Sequence, residues 1–126
     1  MQIVSTDRAP AAVGPYSQAV RAGGLLFCAG QLPLVPASMK IEAADIEGQT
    51  RQVLENIRAV LEAAGVGMAQ VVKTTVFLRD LADFAKMNAL YDAAFAPHKP
   101  ARSTVQVARL PLDALVEIEA IAECGD

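Results

Sequence analysis

In several segments of the chain, apolar residues alternate with polar ones at a period of two, which is typical of β-strands with one buried face. The pattern predicts strands over residues 2–5, 16–22, 25–29, 39–41 and 71–78, and two more in the last quarter of the chain. Gly23 and Gly24 join the second and third of these strands. Such a pair favours a tight hairpin, because glycine adopts positive φ freely.

Two other segments repeat apolar residues at helical spacing. The first covers residues 46–64, with Asp45 as the N-cap and Gly65 as the stop after the last turn. Its apolar stripe consists of Ile46, Val53, Ile57, Val60, Leu61 and Ala64. The second helix is predicted to begin after the N-cap Asp80 and to end before Pro97. Its apolar face carries Leu81, Phe84, Met87 or Asn88, Tyr91 and Phe95.

The C-terminal quarter contains two runs rich in β-branched residues, at 101–107 and 116–122, separated by a Leu-Pro-Leu-Asp turn. This arrangement predicts a β-hairpin. Alternation places Arg102 on one face of the first run, with Thr104 and Gln106, and Ser103, Val105 and Val107 on the other. In the second run, Val116, Ile118, Ala120 and Ala122 share a face, and Glu117, Glu119 and Ile121 share the opposite one.

The order of the elements predicts one α+β domain over residues 1–126, with a mixed sheet covered on one face by two helices. The other apolar face must then be buried elsewhere. The sequence is 53% hydrophobic, has no Trp and has a mean hydropathy of +0.32. We therefore expect a subunit interface. A high alanine content is the alternative explanation, since alanine raises the hydrophobic fraction without requiring a partner.

Charge and cysteine content narrow the function classes. The net charge is −3 and no Lys/Arg cluster occurs, which argues against binding nucleic acid through its phosphates. The N-terminus has no signal-peptide pattern, and no apolar run approaches the length of a membrane span. Cys28 and Cys124 are too few for a disulfide framework, so we expect a cytoplasmic protein.

Two charged residues in the C-terminal strands are candidates for chemistry. Arg102 follows Pro100-Ala101 at the start of an apolar strand, where its planar fork could bind both oxygens of a carboxylate. Glu117 lies among apolar strand residues and could handle protons. The alternatives are a surface charge for Arg102 and a salt bridge on the sheet for Glu117. In a hairpin register the two would lie roughly 16 Å apart, so one ligand could contact both only at a subunit boundary.

Three further positions allow a structural and a functional interpretation. Tyr16 follows Gly14-Pro15, so its ring either packs on the core or presents its hydroxyl to a pocket. Gly30 either forms a bulge or lets a ligand approach the backbone closely. Asn88 is either a buried amide bonded to backbone or a site residue. His98 is the sole histidine and cannot build a catalytic triad or a metal site alone.

The pattern Pro-Ala-Arg-Ser-x-Val-x-Val-x-x-Leu-Pro, followed by Val-Glu-Ile-Glu-Ala-Ile-Ala, resembles the C-terminal signature of the RidA (YjgF) family of imine deaminases. Gly14-Pro15-Tyr16, Gly30-Gln31 and Asn88 match the family in the same order. The resemblance covers nearly the whole chain. It implies the chorismate-mutase-like fold and a homotrimer in which three sheets close into a central barrel, with ligand clefts between subunits.

The resemblance also implies an activity, the hydrolysis of reactive 2-imino acids to 2-keto acids and ammonia. The substrates would be 2-iminobutanoate and 2-iminopropanoate or its enamine tautomer 2-aminoacrylate. Arg102 would bind the substrate carboxylate, and Glu117 would activate the attacking water. Gly30 and the Thr104 region would supply backbone contacts, while Tyr16 and Asn88 would orient water or substrate. Neither a metal nor another cofactor is expected, because imines are already electrophilic.

Two positions depart from the family pattern. Thr104 stands where many relatives have Cys, and Ser38-Met39 replaces a turn that usually contains Gly. The main alternative function is a trimeric binding module for small carboxylates such as 2-keto acids, regulatory rather than catalytic. An endoribonuclease or translation inhibitor is a third possibility, against which the acidic charge and the absence of a His pair argue.

Overall fold

The computed structural model describes residues 1–125. The strands are Gln2–Val4 (β1), Ala19–Ala22 (β2), Leu25–Gln31 (β3), Leu34–Val35 (β4), Lys40–Ile41 (β5), Val71–Leu78 (β6), Ala101–Gln106 (β7) and Val116–Glu123 (β8). The helices are Ile46–Ala63 (α1) and Phe84–Phe95 (α2). The predicted α+β class, with two helices on a mixed sheet, is confirmed. Neither of these helices is both long and apolar enough to cross a bilayer.

Six strands form one sheet in the order β1-β2-β3-β8-β6-β7, and β4 pairs with β5 in a separate ribbon. Strands β6 and β7 are parallel, whereas every other pair of neighbours is antiparallel. Gly23 and Gly24 form the predicted hairpin turn, with φ values of 59° and 78°. Strand β2 begins at Ala19, three residues later than expected, because the preceding segment forms a loop.

The predicted C-terminal hairpin is wrong. Strand β7 lies parallel to β6 at the sheet edge, and β8 lies between β3 and β6. Helix α2 connects β6 to β7, and a helical crossover of this kind permits parallel pairing of the strands on either side. The connection from β7 to β8 includes a 3₁₀ turn at Pro111–Asp113 and does not close a tight turn, and its two ends hydrogen-bond to the end of β6, at Leu78 and Arg79.

Both helices cover the same face of the sheet, and their buried residues form one core with β6 and β8. Fully buried side chains include Val53, Ile57, Leu61, Val76, Leu78, Met87, Val116 and Ile118. Asp45 caps α1 as predicted, accepting a hydrogen bond from the Gly48 amide at 2.8 Å. Asp80 instead caps a 3₁₀ turn at Leu81–Asp83, so α2 begins one turn later than expected and Leu81 is exposed.

No helix within residues 1–125 covers the opposite face of the sheet. Phe27 and Val105 on this face are 44% and 41% exposed, and Phe77 and Ile121 beside them are only half-buried. We call this the open face. The register of β6 with its neighbours confirms the alternation predicted for both C-terminal strands.

Candidate functional site

The largest cavity near a candidate residue contains Glu117 and lies on the side of the sheet away from the helices. Its volume is about 660 Å³. We call it the Glu117 pocket. It is lined by Ala11, Val13, Tyr16, Ala29, Gly30, Leu32, Leu34, Met39, Pro111, Leu112 and Glu117. Three of the residues predicted for the site, Tyr16, Gly30 and Glu117, therefore lie together.

Gly30 lies at a bulge that shapes the wall of this pocket. The register of β3 against β8 shifts by one residue between Cys28 and Gln31, so the bulge expected as one interpretation of Gly30 is present. The same residue also allows a close approach. A β-carbon at Gly30 would overlap with Oε2 of Glu117 and would lie 3.0 Å from its Cδ. The absence of a side chain at Gly30 therefore sets the position of the Glu117 carboxylate.

The surroundings of Glu117 favour its neutral form. Burial raises the pKa of this carboxyl group, and the negative charge of Glu119 on the same face raises it further. No donor within residues 1–125 forms a hydrogen bond to the side-chain oxygens of Glu117. Both oxygens are therefore available to a water molecule or a ligand, and the group is suited to exchange protons with it.

Tyr16 does not pack in the core. Its side chain is 55% exposed and stands on the loop that follows Gly14, whose φ of 127° requires glycine. The Tyr16 amide donates to the Gly14 carbonyl at 2.9 Å, which tightens the loop. The ring consequently forms one wall of the Glu117 pocket and can present its hydroxyl there.

Arg102 lies in a second cavity, on the helix face of the sheet. This cavity has a volume of about 340 Å³ and is lined by Asn88, Tyr91, Asp92, Phe95, His98, Lys99, Pro100 and Arg102. We call it the Arg102 cleft. Arg102 Nη1 donates to Oδ1 of Asn88 at 2.7 Å. The guanidinium carbon also lies 4.7 Å from the Tyr91 ring centroid and 5.4 Å from that of Phe84.

This environment positions a cation without neutralising it. Within residues 1–125, no carboxylate lies within 4.0 Å of the Arg102 guanidinium. Two aromatic rings and one amide oxygen hold the group by cation–π contacts and a hydrogen bond. The remaining N–H groups keep the forked geometry that binds a carboxylate with two parallel hydrogen bonds. Arg102 is therefore not a simple surface charge.

Thr104 lies two residues after Arg102 on the same strand and faces the same side. Its hydroxyl oxygen is buried and has no hydrogen-bond partner within residues 1–125. A buried hydroxyl normally has a partner, so this one marks a place where water or a ligand group is expected. Asn88 therefore lines the Arg102 cleft, whereas Thr104 lies on the same face of β7 without lining it.

The two groups of predicted residues lie on opposite faces of one sheet. Arg102 pairs with Thr74, whose hydroxyl bonds to Tyr91 under the helices at 2.6 Å. Glu117 pairs with Phe77, which belongs to the open face. The Cα atoms of Arg102 and Glu117 are about 14 Å apart by strand spacing and rise. One chain therefore does not bring its own Arg102 and Glu117 to the same small ligand.

Some residues near these cavities were not predicted as site residues. Phe84 and Tyr91 were assigned only to the apolar face of the helix. They lie four residues before and three residues after the predicted Asn88, a spacing that could have identified the aromatic support of Arg102. Met39 and Leu112 line the Glu117 pocket, and only the departure at Ser38-Met39 drew attention to that region. His98, to which no catalytic role was given, hydrogen-bonds to the Val71 carbonyl.

The chain is similar in sequence and in structure to several known proteins. The sequence profile of a family described as Endoribonuclease L-PSP matches residues 6–124. A RutC family protein of Pyrococcus horikoshii is 55% identical over 121 residues, which cover 96% of each chain. A 2-iminobutanoate/2-iminopropanoate deaminase of Salmonella typhimurium is 51% identical over 122 residues, 94% of each chain. The structure of E. coli TdcF with bound serine is similar with a TM-score of 0.93, at 47% identity and 98% coverage of both chains.

Proposed function

We propose that this chain, which belongs to the endoribonuclease L-PSP family, hydrolyses reactive 2-imino acids to 2-keto acids and ammonia. The family resemblance predicted from the sequence is confirmed, since the RidA and YjgF proteins have the same fold and matching sequences. The reaction converts R–C(=NH₂⁺)–COO⁻ and water into R–C(=O)–COO⁻ and NH₄⁺. The guanidinium of Arg102, held by Asn88 and Tyr91 with no carboxylate beside it, is the single observation that carries the proposal, because it is suited to bind a substrate carboxylate.

In this proposal Arg102 binds the substrate carboxylate through its free N–H groups. Asn88 holds the guanidinium at one end, while the Tyr91 ring supports it from the side. The unpartnered Thr104 hydroxyl, on the same face of β7 as Arg102, would donate to the substrate carboxylate. The relative crystallised with serine supports this assignment, since serine carries the same carboxylate next to a nitrogen-bearing carbon.

Glu117 acts on water in the proposed reaction. As the water oxygen bonds to C2 of the iminium, its proton passes to a Glu117 oxygen, which then returns a proton to the amino nitrogen. The C–N bond breaks and releases ammonia, the carboxylate of Glu117 takes the proton of the new hydroxyl group and passes it to the ammonia, and the 2-keto acid and an ammonium ion leave. The raised pKa of Glu117 suits this exchange, because a group that both accepts and donates works best near the ambient pH. Tyr16 and the Gly30 backbone orient the water.

We further propose that the complete site forms between subunits of a homotrimer. The open face exposes Phe27 and Val105, which a neighbouring copy would bury. The Arg102 cleft of one copy would then meet the Glu117 pocket of the next. A cytoplasmic location is part of the proposal, in keeping with the two free cysteines.

A decay assay tests this function. An amino-acid oxidase generates 2-iminobutanoate or 2-iminopropanoate in solution, and semicarbazide traps whatever imine has not been hydrolysed. We expect the wild-type protein to suppress trapping, and we expect Arg102→Ala and Glu117→Ala each to lose at least about 100-fold in kcat/KM. A wild-type protein that does not suppress trapping would refute the proposed enzymatic function.

The same assay, together with a binding measurement, distinguishes the hydrolase from the main alternative, a non-catalytic binding module. A binding module for 2-keto acids would bind 2-ketobutanoate in calorimetry without accelerating imine decay, and Glu117→Ala would leave that binding unchanged. Ribonuclease activity is not proposed, because the net charge is −3 and the only imidazole is bonded to the Val71 carbonyl.

A further inference from the structure

Within residues 1–125, three non-glycine residues have left-handed backbone conformations, and two of them line the Glu117 pocket. Met39, Leu112 and Asp113 have φ values of 57°, 58° and 56°. Asp113 does not line the pocket, and its short polar side chain tolerates this region and bonds to Arg109 at 2.8 Å. Met39 and Leu112 have no such local hydrogen bond, because their side chains are apolar.

A left-handed conformation is unfavourable for residues like these. The β-carbon of an L-residue approaches the following carbonyl oxygen there, which glycine avoids. Non-glycine residues held in such regions concentrate at ligand clamps and active sites, where the surrounding structure imposes them. Glycine would satisfy both turns more easily, so what Met39 and Leu112 add to the chain is their side chains.

These side chains extend an apolar wall around a single carboxylate. Met39 and Leu112 line the pocket together with Val13, Leu32 and Leu34, and Glu117 is the only charged group in the lining. Leu112 and Val13 are 67% and 75% exposed, so the wall is not filled by the chain itself. The cavity of about 660 Å³ in one chain leaves room for an aliphatic substrate side chain beside the part that a neighbouring copy would occupy.

We infer that Met39 and Leu112 determine substrate specificity by packing against an aliphatic substrate side chain. The chain then prefers 2-imino acids with longer or branched aliphatic groups, such as those formed from leucine or methionine, over 2-iminopropanoate. This inference rests on the proposed hydrolase function. With the carboxylate on Arg102 of a neighbouring copy and C2 next to the water on Glu117, the substrate side chain extends toward Met39 and Leu112.

The test compares two substrates in each of several variants. Imines are generated from leucine and from alanine, and kcat/KM is measured for wild type, Met39→Ala, Leu112→Ala and Leu112→Gly. The wild type is expected to favour the leucine-derived imine. Each variant should reduce that preference about tenfold, the effect of removing apolar contacts from a hydrophobic pocket, because the leucine-derived imine loses more than the alanine-derived imine does.

The two substitutions at Leu112 separate packing from backbone strain. Alanine keeps the strained backbone, whereas glycine relieves it, and the inference requires both to lose the preference equally. Asp113→Gly is the matched control, since it relieves the same kind of strain outside the pocket and should leave the preference unchanged. Thermal unfolding and molecular mass are recorded for every variant to establish that each is folded and assembled.

The possible outcomes test the substrate-specificity inference separately from the proposed hydrolase function. If the wild type accelerates decay of neither imine, the proposed function fails. If it hydrolyses both but favours the smaller one, or if Met39→Ala and Leu112→Ala keep its preference, only the specificity assignment is overturned. A variant that loses mass and loses both activities equally would show that the apolar wall binds a neighbouring copy instead of substrate.

Discussion

The carboxylate of Glu117 lies against the backbone of Gly30, at a distance that leaves no room for a β-carbon. The contact joins two strands at a bulge, where β3 and β8 change register between Cys28 and Gln31. The bulge therefore does more than end the regular pairing. It brings a glycine to the one position where the carboxylate can turn into the pocket, so the identity of residue 30 and the placement of Glu117 depend on each other.

Gly30→Ala should consequently impair catalysis more than it impairs folding. The new methyl group forces the carboxylate away from its position, and we expect kcat to fall at least about tenfold, since misplacing a catalytic group by about 1 Å can cost more than that. The imine decay assay and thermal unfolding measure the two effects. Gly67→Ala is the control, because its nearest neighbour would lie at an ordinary 3.5 Å. Equal losses in both variants would contradict the steric assignment.

The raised pKa of Glu117 predicts a specific dependence of stability on pH. Burial and Glu119 raise the folded-state pKa above the ordinary value of 4.5, so between these two values the folded state binds more protons than the unfolded state. The free energy of unfolding therefore falls as pH rises through this window, and ionised Glu117 destabilises the fold above it. Glu117→Gln should match wild type at about pH 4 and should be the more stable protein at about pH 8.

Urea unfolding at the two pH values checks this prediction. Glu119→Gln serves as the companion variant, because removing its charge lowers the pKa of Glu117 without touching the carboxylate. If Glu117 acts as a base, the acidic limb of the kcat/KM profile should move to lower pH in Glu119→Gln. A profile that does not move would mean that another group controls the limb.

Asn88 is predicted to act through Arg102. Its Oδ1 accepts from Nη1 at 2.7 Å, so Asn88→Ala leaves the guanidinium charged but less well oriented. We expect KM to rise about tenfold, the loss of one charge-assisted hydrogen bond, with little change in kcat. Asn88→Asp keeps an acceptor in the same place but adds a negative charge that competes with the substrate carboxylate.

The aspartate variant should therefore have the higher KM of the two, although it is the closer in shape. Steady-state kinetics with one imine at several salt concentrations makes the comparison, because screening weakens a competing charge. If Asn88→Ala has a higher KM than Asn88→Asp, the Asn88 amide is needed for its shape and not for its neutrality.

Much of the fold follows from local pattern, and the part that does not is the pairing of distant strands. Strand β6 and helix α1 were predicted almost to the residue, since their periodicities and the Asp45 cap are encoded locally. The partner of β7 was predicted wrongly, because a short sequence separation suggested β8 while the α2 crossover places β7 beside β6. The predicted faces survived that error, since alternation depends on the strand alone.

The site shows the same division. Arg102 and Glu117 stand out in the sequence, but their position on opposite faces follows from the register of both strands with β6. The wall formed by Met39 and Leu112 depends on positive φ values, which are usually signalled by glycine or asparagine and were not signalled here. Met39 and Leu112 were therefore missed, since they are apolar residues in a backbone conformation that usually belongs to glycine or asparagine.

Because Arg102 and Glu117 lie on opposite faces of the sheet, a shared site between subunits can be tested by complementation. If each site takes Arg102 from one copy and Glu117 from its neighbour, two inactive variants can restore each other. Arg102→Ala and Glu117→Gln, refolded together in equal amounts, should assemble at random, and about a quarter of the subunit boundaries would join an intact Arg102 to an intact Glu117. Imine hydrolysis should then reach about a quarter of the wild-type rate, whereas either variant refolded alone should have almost none.

A site built within one chain would give the opposite result, because each chain in the mixture lacks one of the two groups. Val105→Asp tests the same arrangement from the open face, since a charge at an exposed apolar position should weaken assembly while leaving the core intact. Sedimentation should show smaller particles, and their activity should fall in proportion to the lost assembly. The Cα atoms of Arg102 and Glu117 in one chain are about 14 Å apart, estimated from two strand spacings and three residues of rise, so one small substrate cannot contact both. Monomers that keep full activity would therefore contradict the shared site.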